Sequence, residues 1–488
     1  MAIDLSKPAD QVSIDDAAYK PLFKSLQGNI LKPHGRNCAW QVFIEFTGSK
    51  DKVRAWIRDH VAPNLFTAAL QYEQGKKPKG TDGGLVTLFF LSASGYSYLG
   101  LDPKKLASTP FRKGMKDQSD GLSELFDTNN KDPKPATWEA GFQKEIHAMV
   151  ALANDEDVTP RLKAALTALE GQLGGIAKIH CVQEGKVLRR PIHDTPAPDD
   201  FEPIEHFGYF DGISQPLFTK EDLVKYYASE KGSTKGKGWD PGASLDLVLV
   251  DDPFVADADA CGSYLVYRKL AQDYALFNGR VAACAAALGV DEALAGAMVV
   301  GRFKDGTPVV DSKVAGEDYN NDFMFDEDDD EGFRCPRHAH IRKVNPRGTT
   351  PMTSLEDERK RRIARRGIPY GKPHPDIEPD VPTSETEKGP TERGLLFMCF
   401  QASIKKQFQF IQRTWCDNPN FPVSLLNPFK KDTGDDPLIG QDPDETQRWP
   451  KKWGDPSAGR KSFNFEAAVT LRGGEYFFAP SKPFLAGL

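Results

Sequence analysis

The spacing of apolar residues in the first part of the chain predicts alternating strands and helices. Four segments rich in aromatic and β-branched residues predict strands: 38–46, 85–91, 146–153 and 176–183. Residues 51–61 and 160–173 instead carry apolar side chains at helical spacing, which indicates amphipathic helices. The resulting order, β-α-β-β-α-β, is typical of a ferredoxin-like unit over about residues 25–205.

The second part of the chain follows a similar plan with longer insertions. Apolar patterning predicts strands at 262–269, 394–402, 463–471 and 474–479, and helices at 272–288, 292–301 and 407–416. We therefore predict an α+β protein of two ferredoxin-like units, with domains at 1–205 and 206–488. Residues 102–137 predict a surface loop, and the insertions 303–393 and 417–460 are long enough to suggest a function.

Composition narrows the class of protein. The chain has 488 residues, of which 39% are hydrophobic and 27% are charged, as in an ordinary globular protein. The net charge of −7 argues against a general nucleic-acid binder. The sequence contains no run of eighteen apolar residues, so it predicts no membrane span. Seven cysteines without CxxC spacing and a start without a secretory signal pattern predict a cytoplasmic location. The sequence does not indicate the oligomeric state.

Candidate chemistry is concentrated in the basic segment 332–347. His338 and His340 lie two positions apart among basic residues, and an imidazole in such surroundings suits iron held in an anionic macrocycle. A polar loop that merely carries two histidines is the alternative. The preceding acidic run, 326–331, lacks the glycine and glutamate positions of a calcium loop, so it predicts a solvated loop.

Two further segments could complete a catalytic site. Asp211 is flanked by Gly208 and Gly212 in apolar surroundings, and a carboxyl buried there would have a raised pKa and could carry a proton. A turn between domains would explain the same residues. The basic run 361–366 is equally compatible with a helix end, closed by the glycine and proline that follow it.

Together these segments resemble the dye-decolorising peroxidases, a family of haem enzymes. The family motif GxxDG matches 208–212, and its AHIRK-x-NPR segment matches 339–347. The family's distal arginine precedes a Gly-Ile-Pro-Tyr run by two positions, which corresponds to Arg365 rather than Arg366. The resemblance extends from about residue 25 to the C-terminus. It implies two ferredoxin-like units, with haem b (iron protoporphyrin IX) held in the second.

The resemblance also implies roles for individual residues. His340 would be the iron ligand, and Asp436 its carboxylate partner. Asp211 would act as the distal acid–base group, while Arg365 would stabilise developing negative charge. Four more residues are expected to contact the cofactor: Arg342, Arg347, Leu395 and Phe397. For Leu395 and Phe397, alternate positions on one face of a core strand are an equally compatible interpretation.

The implied function is a peroxidase that uses hydrogen peroxide to oxidise dyes, phenolics or similar one-electron donors through an oxyferryl intermediate. The sequence does not identify the physiological reductant, nor does it show whether manganese is oxidised. A haem-binding or haem-iron-handling protein with incidental peroxidase activity is one alternative, and as a pure haem carrier it would have no need of Asp211. A non-haem metalloprotein that uses His338, His340 and the acidic run is another, and it would show no Soret band.

Overall fold

The computed structural model covers most of the chain. It describes residues 3–78, 81–117, 131–155, 160–191, 201–229, 239–257, 259–316, 320–351, 353–377, 392–423 and 433–488. Parts of the predicted loop 102–137 and of the insertions 303–393 and 417–460 lie outside these ranges.

The strands form one large antiparallel sheet and two small hairpins. In chain order they are β1 Cys38–Phe46, β2 Val86–Leu91, β3 Ala148–Asn154, β4 Ala177–Lys186, β5 Leu188–Pro191, β6 Phe201–Ile204, β7 Val250–Asp251, β8 Cys261–Gln272, β9 Ala364–Arg365, β10 Ile368–Tyr370, β11 Gly394–Gln401, β12 Gln447–Pro450, β13 Arg460–Phe463 and β14 Val469–Ala479. The hairpins are β5–β6 and β12–β13, and the remaining strands belong to the large sheet.

Both halves of the large sheet have the strand order of a ferredoxin-like unit. The first half runs β4-β1-β3-β2, and the second runs β10-β11-β8-β14. Counted within each unit, the strands lie in the order fourth, first, third, second, read from β4 in the first half and from β14 in the second. The predicted fold class, α+β with two ferredoxin-like units, is therefore confirmed.

The two halves are joined at both of their outer strands, so these eight strands close into a ring. β4 pairs with β10 at Gly185 and Tyr370, and β2 pairs with β14 at Leu91 and Phe478. The first junction requires glycine at position 185. A Cβ there would lie 2.4 Å from the Ile368 side chain, which is too close for two carbon atoms. Each junction is a single residue pair, whereas the pairings within each unit are longer.

The interior of the ring is a core shared by both units. The Phe43 ring of β1 packs against Tyr267 of β8 at 4.8 Å and against Phe477 of β14 at 6.3 Å, measured between ring centroids. Side chains alternate across a strand, so Arg268, Leu270 and Gln272 point to the opposite, outer face of β8. That outer face forms one wall of the candidate site.

The described ranges contain sixteen α-helices. They are α1 Lys20–Ser25, α2 Lys50–Trp56, α3 Ala62–Asn64, α4 Ala68–Gly75, α5 Ala93–Tyr98, α6 Thr109–Lys113, α7 Ala140–Gln143, α8 Pro160–Leu173, α9 Lys220–Ala228, α10 Tyr274–Leu288, α11 Glu292–Val300, α12 Phe325–Asp328, α13 His340–Val344, α14 Leu355–Arg359, α15 Phe408–Phe410 and α16 Lys482–Ala486. Helix α7 packs its Phe142 ring against Phe43 and Tyr267 of the shared core. Ile57–Val61 and Ile411–Cys416 are π-helical turns. No single helix in the described ranges is long and apolar enough to span a membrane; α10 and α11 reach that composition only together, across a 110° bend.

Several predicted elements differ from the structure. The segment 463–471 is not one strand, because Glu466 has a φ of 63° and separates β13 from β14. The predicted helix 407–416 is a short α-helix followed by a π-helical turn. Gln272 ends β8 rather than starting a helix, since Asp273 caps α10 through the Leu276 N–H. The predicted loop 102–137 contains α6 and two 3₁₀ turns in its described part.

Candidate active site

A cavity of about 260 Å³ lies against the outer face of β8 and β11. Leu270 pairs with Leu395 across the two strands, and Arg268 pairs with Phe397, and all four line the cavity. Leu395 and Phe397 therefore do alternate on one strand face, and that face is a cavity wall. Other walls are formed by helix α13, by the π-helical turn Ile411–Cys416 and by the loop before β9. The lining is mostly apolar.

His340 is the first residue of α13, and its imidazole lines the cavity. One edge of the ring is held in place by a hydrogen bond. Its Nδ1 lies 2.8 Å from Asp436 Oδ2, and the Asp436 side chain is fully buried. A carboxylate only accepts hydrogen bonds, so Nδ1 carries the proton and Nε2 keeps its lone pair. The Asp436 carboxylate is itself fixed, since Oδ1 accepts the N–H groups of Leu438 and Ile439 at 2.8 and 3.1 Å. This arrangement leaves Nε2 as the nitrogen available to a metal.

The neighbouring Lys343 anchors α13 from behind. Its ammonium is completely buried and donates to the carbonyl oxygens of Trp415, Asn418 and Phe421 at 3.2, 2.8 and 2.8 Å. Burial lowers the pKa of Lys343 to about 8. The three bonds tie the helix to the segment that precedes Asp436.

The structure does not bring Arg342 to the cavity. Successive residues of a helix differ by about 100°, so a side chain two positions beyond His340 faces away from it. The Arg342 guanidinium donates instead to the carbonyl oxygens of Asp329, Cys335 and Asp330, at 2.8, 2.9 and 2.8 Å. Its place is behind the site, where it holds the loop that leads into α13.

The side chains of the acidic run and of His338 make contacts within the protein, away from the cavity. The Asp329 carboxylate accepts the backbone N–H groups of Phe333, Arg334 and Cys335, which folds the run into a capped loop. His338 is fully buried, with its ring 4.2 Å from the Trp449 ring between centroids. Within the described ranges, no group of three or more His, Cys, Asp or Glu side chains could hold a metal ion. The non-haem alternative therefore has no ligand set in this part of the chain.

Asp211 and Arg365 meet at another wall of the cavity. Arg365 Nη1 lies 3.7 Å from Asp211 Oδ1, and both side chains are about one-third exposed, at 34% and 31%. Gly208 and Gly212 have φ values of 88° and 82°, a conformation that favours glycine and turns the chain on either side of Asp211. The Asp211 N–H donates to Pro203 O at 2.9 Å, which fixes the position of this residue.

The structure separates Arg365 from Arg366. Arg365 lines the cavity and donates through Nη2 to Ile213 O at 2.5 Å. Arg366 is buried on the other side, where it donates to the carbonyl oxygens of Asn29 and Ile30 at 2.7 and 2.8 Å. Of these two arginines, Arg365 is therefore the one that can reach a molecule in the cavity near Asp211.

Arg347 also lines the cavity, beside a second arginine that the sequence reasoning left without a role. Arg347 donates to Ser214 Oγ at 2.9 Å and packs against the rings of Trp239 and Phe323, at 4.5 and 4.0 Å. Arg302 contacts the same Asn321 amide oxygen as Arg347, at 2.8 and 2.5 Å. The resemblance to the family also includes a match at Gly301 and Arg302, which was the signal that the sequence offered for this arginine. The two guanidinium groups therefore lie side by side, buried in this wall.

Comparisons with known proteins agree with this fold and site. The family description "Dyp-type peroxidase, C-terminal" matches residues 246–435. The chain is 35% identical to multifunctional dye peroxidase DyP2 of Amycolatopsis sp. over the full length of both proteins. It is 32% identical to dye-decolorizing peroxidase msp1 of Mycetinis scorodonius over 80% of this chain and 74% of that one. Among solved structures, a DyP-type peroxidase of Anabaena sp. has a TM-score of 0.86 and 40% identity, covering 99% of this chain and 98% of that one.

Fold and relatives together define a peroxidase, an enzyme that couples the reduction of hydrogen peroxide to the oxidation of substrates such as dyes. More narrowly, the chain belongs to the dye-decolorising peroxidase family, whose members depend on haem.

The residues around the cavity fit a haem. Because His340 Nδ1 donates its proton to Asp436, Nε2 of the same ring would be free to bind iron from one wall. Arg302 and Arg347 are buried and line the cavity, and guanidinium groups of this kind would suit the two carboxylates of the macrocycle. The apolar strand face that carries Leu270 and Leu395 suits its flat hydrocarbon surface.

Proposed function

We propose that this protein binds haem b and uses hydrogen peroxide to oxidise dyes, phenolics or similar one-electron donors. One observation carries the proposal: a histidine oriented by a carboxylate and an aspartate–arginine pair line the same cavity. His340 would bind the iron, and Asp211 and Arg365 would act on peroxide. Haem, when bound, supplies the electrons that break the oxygen–oxygen bond.

Asp211 would move the proton that this reaction requires. Its carboxylate would take a proton from one oxygen of peroxide and deliver it to the other, which then leaves as water. The Arg365 guanidinium lies 3.7 Å from this carboxylate. It would stabilise negative charge that develops on the peroxide oxygens.

The remaining residues would position the cofactor. Arg347 and Arg302 would pair with its carboxylates, while Leu395 and Phe397 would pack against its face. Arg342 would act only at a distance, through the loop that it holds behind α13. A protein that only carried haem would have no use for the Asp211–Arg365 pair in the cavity, so this pair favours the enzyme over the carrier.

The Asp436→Asn variant tests the partner of His340. An amide cannot accept the imidazole proton as strongly as a carboxylate, so the ligand becomes less basic. We expect haem to be retained in part, with affinity or activity lowered by about 10- to 100-fold. The iron reduction potential, measured by spectroelectrochemistry, should rise. An unchanged potential would contradict the proposed role of Asp436.

The function itself is tested by reconstitution with haem. The purified protein should develop a Soret band, change its spectrum on addition of peroxide, and then bleach an anthraquinone dye. A missing Soret band would overturn haem binding. A Soret band with no spectral response to peroxide would favour the carrier instead.

A further inference from the structure

A second carboxyl group, Glu205, shares the cavity with Asp211. Residues 203–211 form a short antiparallel hairpin in which Ile204 is bridged to Phe210. Glu205 and Asp211 each follow one member of that bridge, so their side chains lie on the same face of the hairpin at diagonal positions. Both line the cavity.

The hairpin turn holds the Glu205 carboxylate in place. Its Oε2 accepts the Phe207 N–H at 2.8 Å, and its Oε1 accepts the Tyr209 N–H at 3.0 Å. Within the described ranges, the charged or titratable groups that act on it or respond to it are Asp211 on the same hairpin, Lys304 in the loop after α11, and the Tyr209 phenol. Burial raises the pKa of Glu205 to about 7, and the Asp211 charge acts in the same direction. This carboxyl therefore changes protonation near neutral pH.

Gln272, at the end of β8, connects Glu205 to the open space of the cavity. Its Nε2 donates a short hydrogen bond to Glu205 Oε2, which orients the amide. Gln272 is 8% exposed, and its Oε1 has no hydrogen-bond partner within the described ranges. Burying a carbonyl oxygen without a hydrogen-bond donor is destabilising, so this atom is expected to accept a hydrogen bond. The residue lines the cavity, where a water molecule would supply one.

Resting on the proposed function, we infer that Glu205 and Gln272 form a proton-relay station, which holds a water molecule and returns protons to Asp211. Peroxide cleavage leaves the proton count of Asp211 unchanged, because the proton is taken and then given back. Complete reduction of hydrogen peroxide to two waters nevertheless consumes two electrons and two protons. A donor that gives only electrons leaves both protons to be supplied through the protein. In each transfer the Glu205 O–H bond breaks and the held water takes that proton while passing one of its own to Asp211. Asp211 then gives a proton to the oxygen atom that becomes the second water, so its own O–H bond breaks, and Glu205 regains its proton from solvent.

The relay has a definite sign of pH dependence. Glu205 must carry its proton in order to donate it, so turnover limited by this step should fall as pH rises through about 7. A phenolic donor brings its own proton and should be less affected. Ferrocyanide, which donates an electron without a proton, should show the full effect.

The Glu205→Gln variant tests the relay with two separate rates. Peroxide cleavage, followed in stopped flow with the haem-loaded protein, should stay close to the wild-type rate. Turnover with ferrocyanide should fall at least about tenfold and become independent of pH, while turnover with a phenol falls less. The Gln272→Met variant leaves the backbone bonds of Glu205 intact and should change turnover in the same direction, but less.

An infrared pH titration of the resting protein provides a readout independent of activity. The difference between wild type and Glu205→Gln should contain one carboxylic acid band that disappears near pH 7. The difference is required because Glu139 also has a pKa raised to about 7 by burial. Asp252→Asn is the matched control, since Asp252 is another buried carboxylate that accepts backbone N–H groups, outside the cavity. It should leave both rates unchanged.

Three results would overturn the relay. The first is wild-type ferrocyanide turnover at every pH in Glu205→Gln. The second is an equal loss of peroxide cleavage and turnover, which would show that Glu205 only positions the hairpin. The third is the absence of the Glu205 band from the infrared difference. A wild-type protein that binds haem but fails to cleave peroxide would instead overturn the proposed function, and this inference with it.

Discussion

Replacing His340 with alanine is expected to abolish stable haem binding. The cavity walls are otherwise mostly apolar, and the imidazole is the group whose free nitrogen faces the cavity with its other nitrogen fixed on Asp436. The substitution would remove the proposed iron ligand and leave the Asp436 carboxylate without its imidazole partner. Reconstituted His340→Ala should show no Soret band characteristic of histidine-bound haem, and no peroxidase activity.

Two measurements separate ligand loss from misfolding. His60→Ala removes an exposed imidazole far from the cavity and should bind haem like the wild type. Added imidazole should restore part of the Soret band to His340→Ala, since it can occupy the space left by the side chain. A His340→Ala protein with the wild-type spectrum would contradict the assignment of the ligand.

Asp211→Asn is expected to keep haem and lose rapid peroxide cleavage. Asparagine has nearly the shape of aspartate and can still accept the Gly212 N–H at 2.6 Å, so the hairpin should be preserved. An amide cannot take a proton from peroxide at working pH, and loss of a general acid–base group costs about 10²- to 10⁴-fold in rate. Stopped-flow absorbance of the haem-loaded variant mixed with peroxide measures this rate.

The appropriate control is the same aspartate-to-asparagine change at a position outside the cavity. Asp246→Asn removes an exposed carboxylate, so it should react with peroxide at the wild-type rate. The Soret band of Asp211→Asn should match the wild type, which separates this variant from His340→Ala. Normal peroxide cleavage in Asp211→Asn would remove the acid–base assignment, and Arg365 would then have to act without it.

The sequence predicted the two units well because their patterns are local. Each strand of the first unit carries its own apolar signal, and the helices at 51–61 and 160–173 show helical spacing. The closure of the ring was not predictable in this way. It depends on the single pairs Gly185–Tyr370 and Leu91–Phe478, which join residues far apart in the chain and leave no periodic signal.

The candidate site shows the same division between local and distant information. Asp211, His340 and Arg365 lie in motifs that can be recognised without a structure, and all three line the cavity. Arg342 lies in the same motif as His340, but the turn of α13 directs it away.

Glu205 and Gln272 had no sequence signal of their own. Glu205 reaches the cavity through the register of the 203–211 hairpin, which sequence patterning did not reveal. Gln272 was assigned to the start of a helix, although it is the last residue of β8. Its side chain reaches the cavity because Gln272 lies four positions after Arg268 in the same strand, so both side chains point to the same face.

The closed ring has a consequence for association between molecules. A separate ferredoxin-like sheet would expose the backbone N–H and C=O groups of its two outer strands, and such edges invite pairing with other chains. Here β4 and β2 of the first unit lie beside β10 and β14 of the second, although each junction has only one paired residue on each strand. Each unit thus occupies the space beside the other's outer strands that a further chain would need in order to pair there, and neither unit would keep this protection alone.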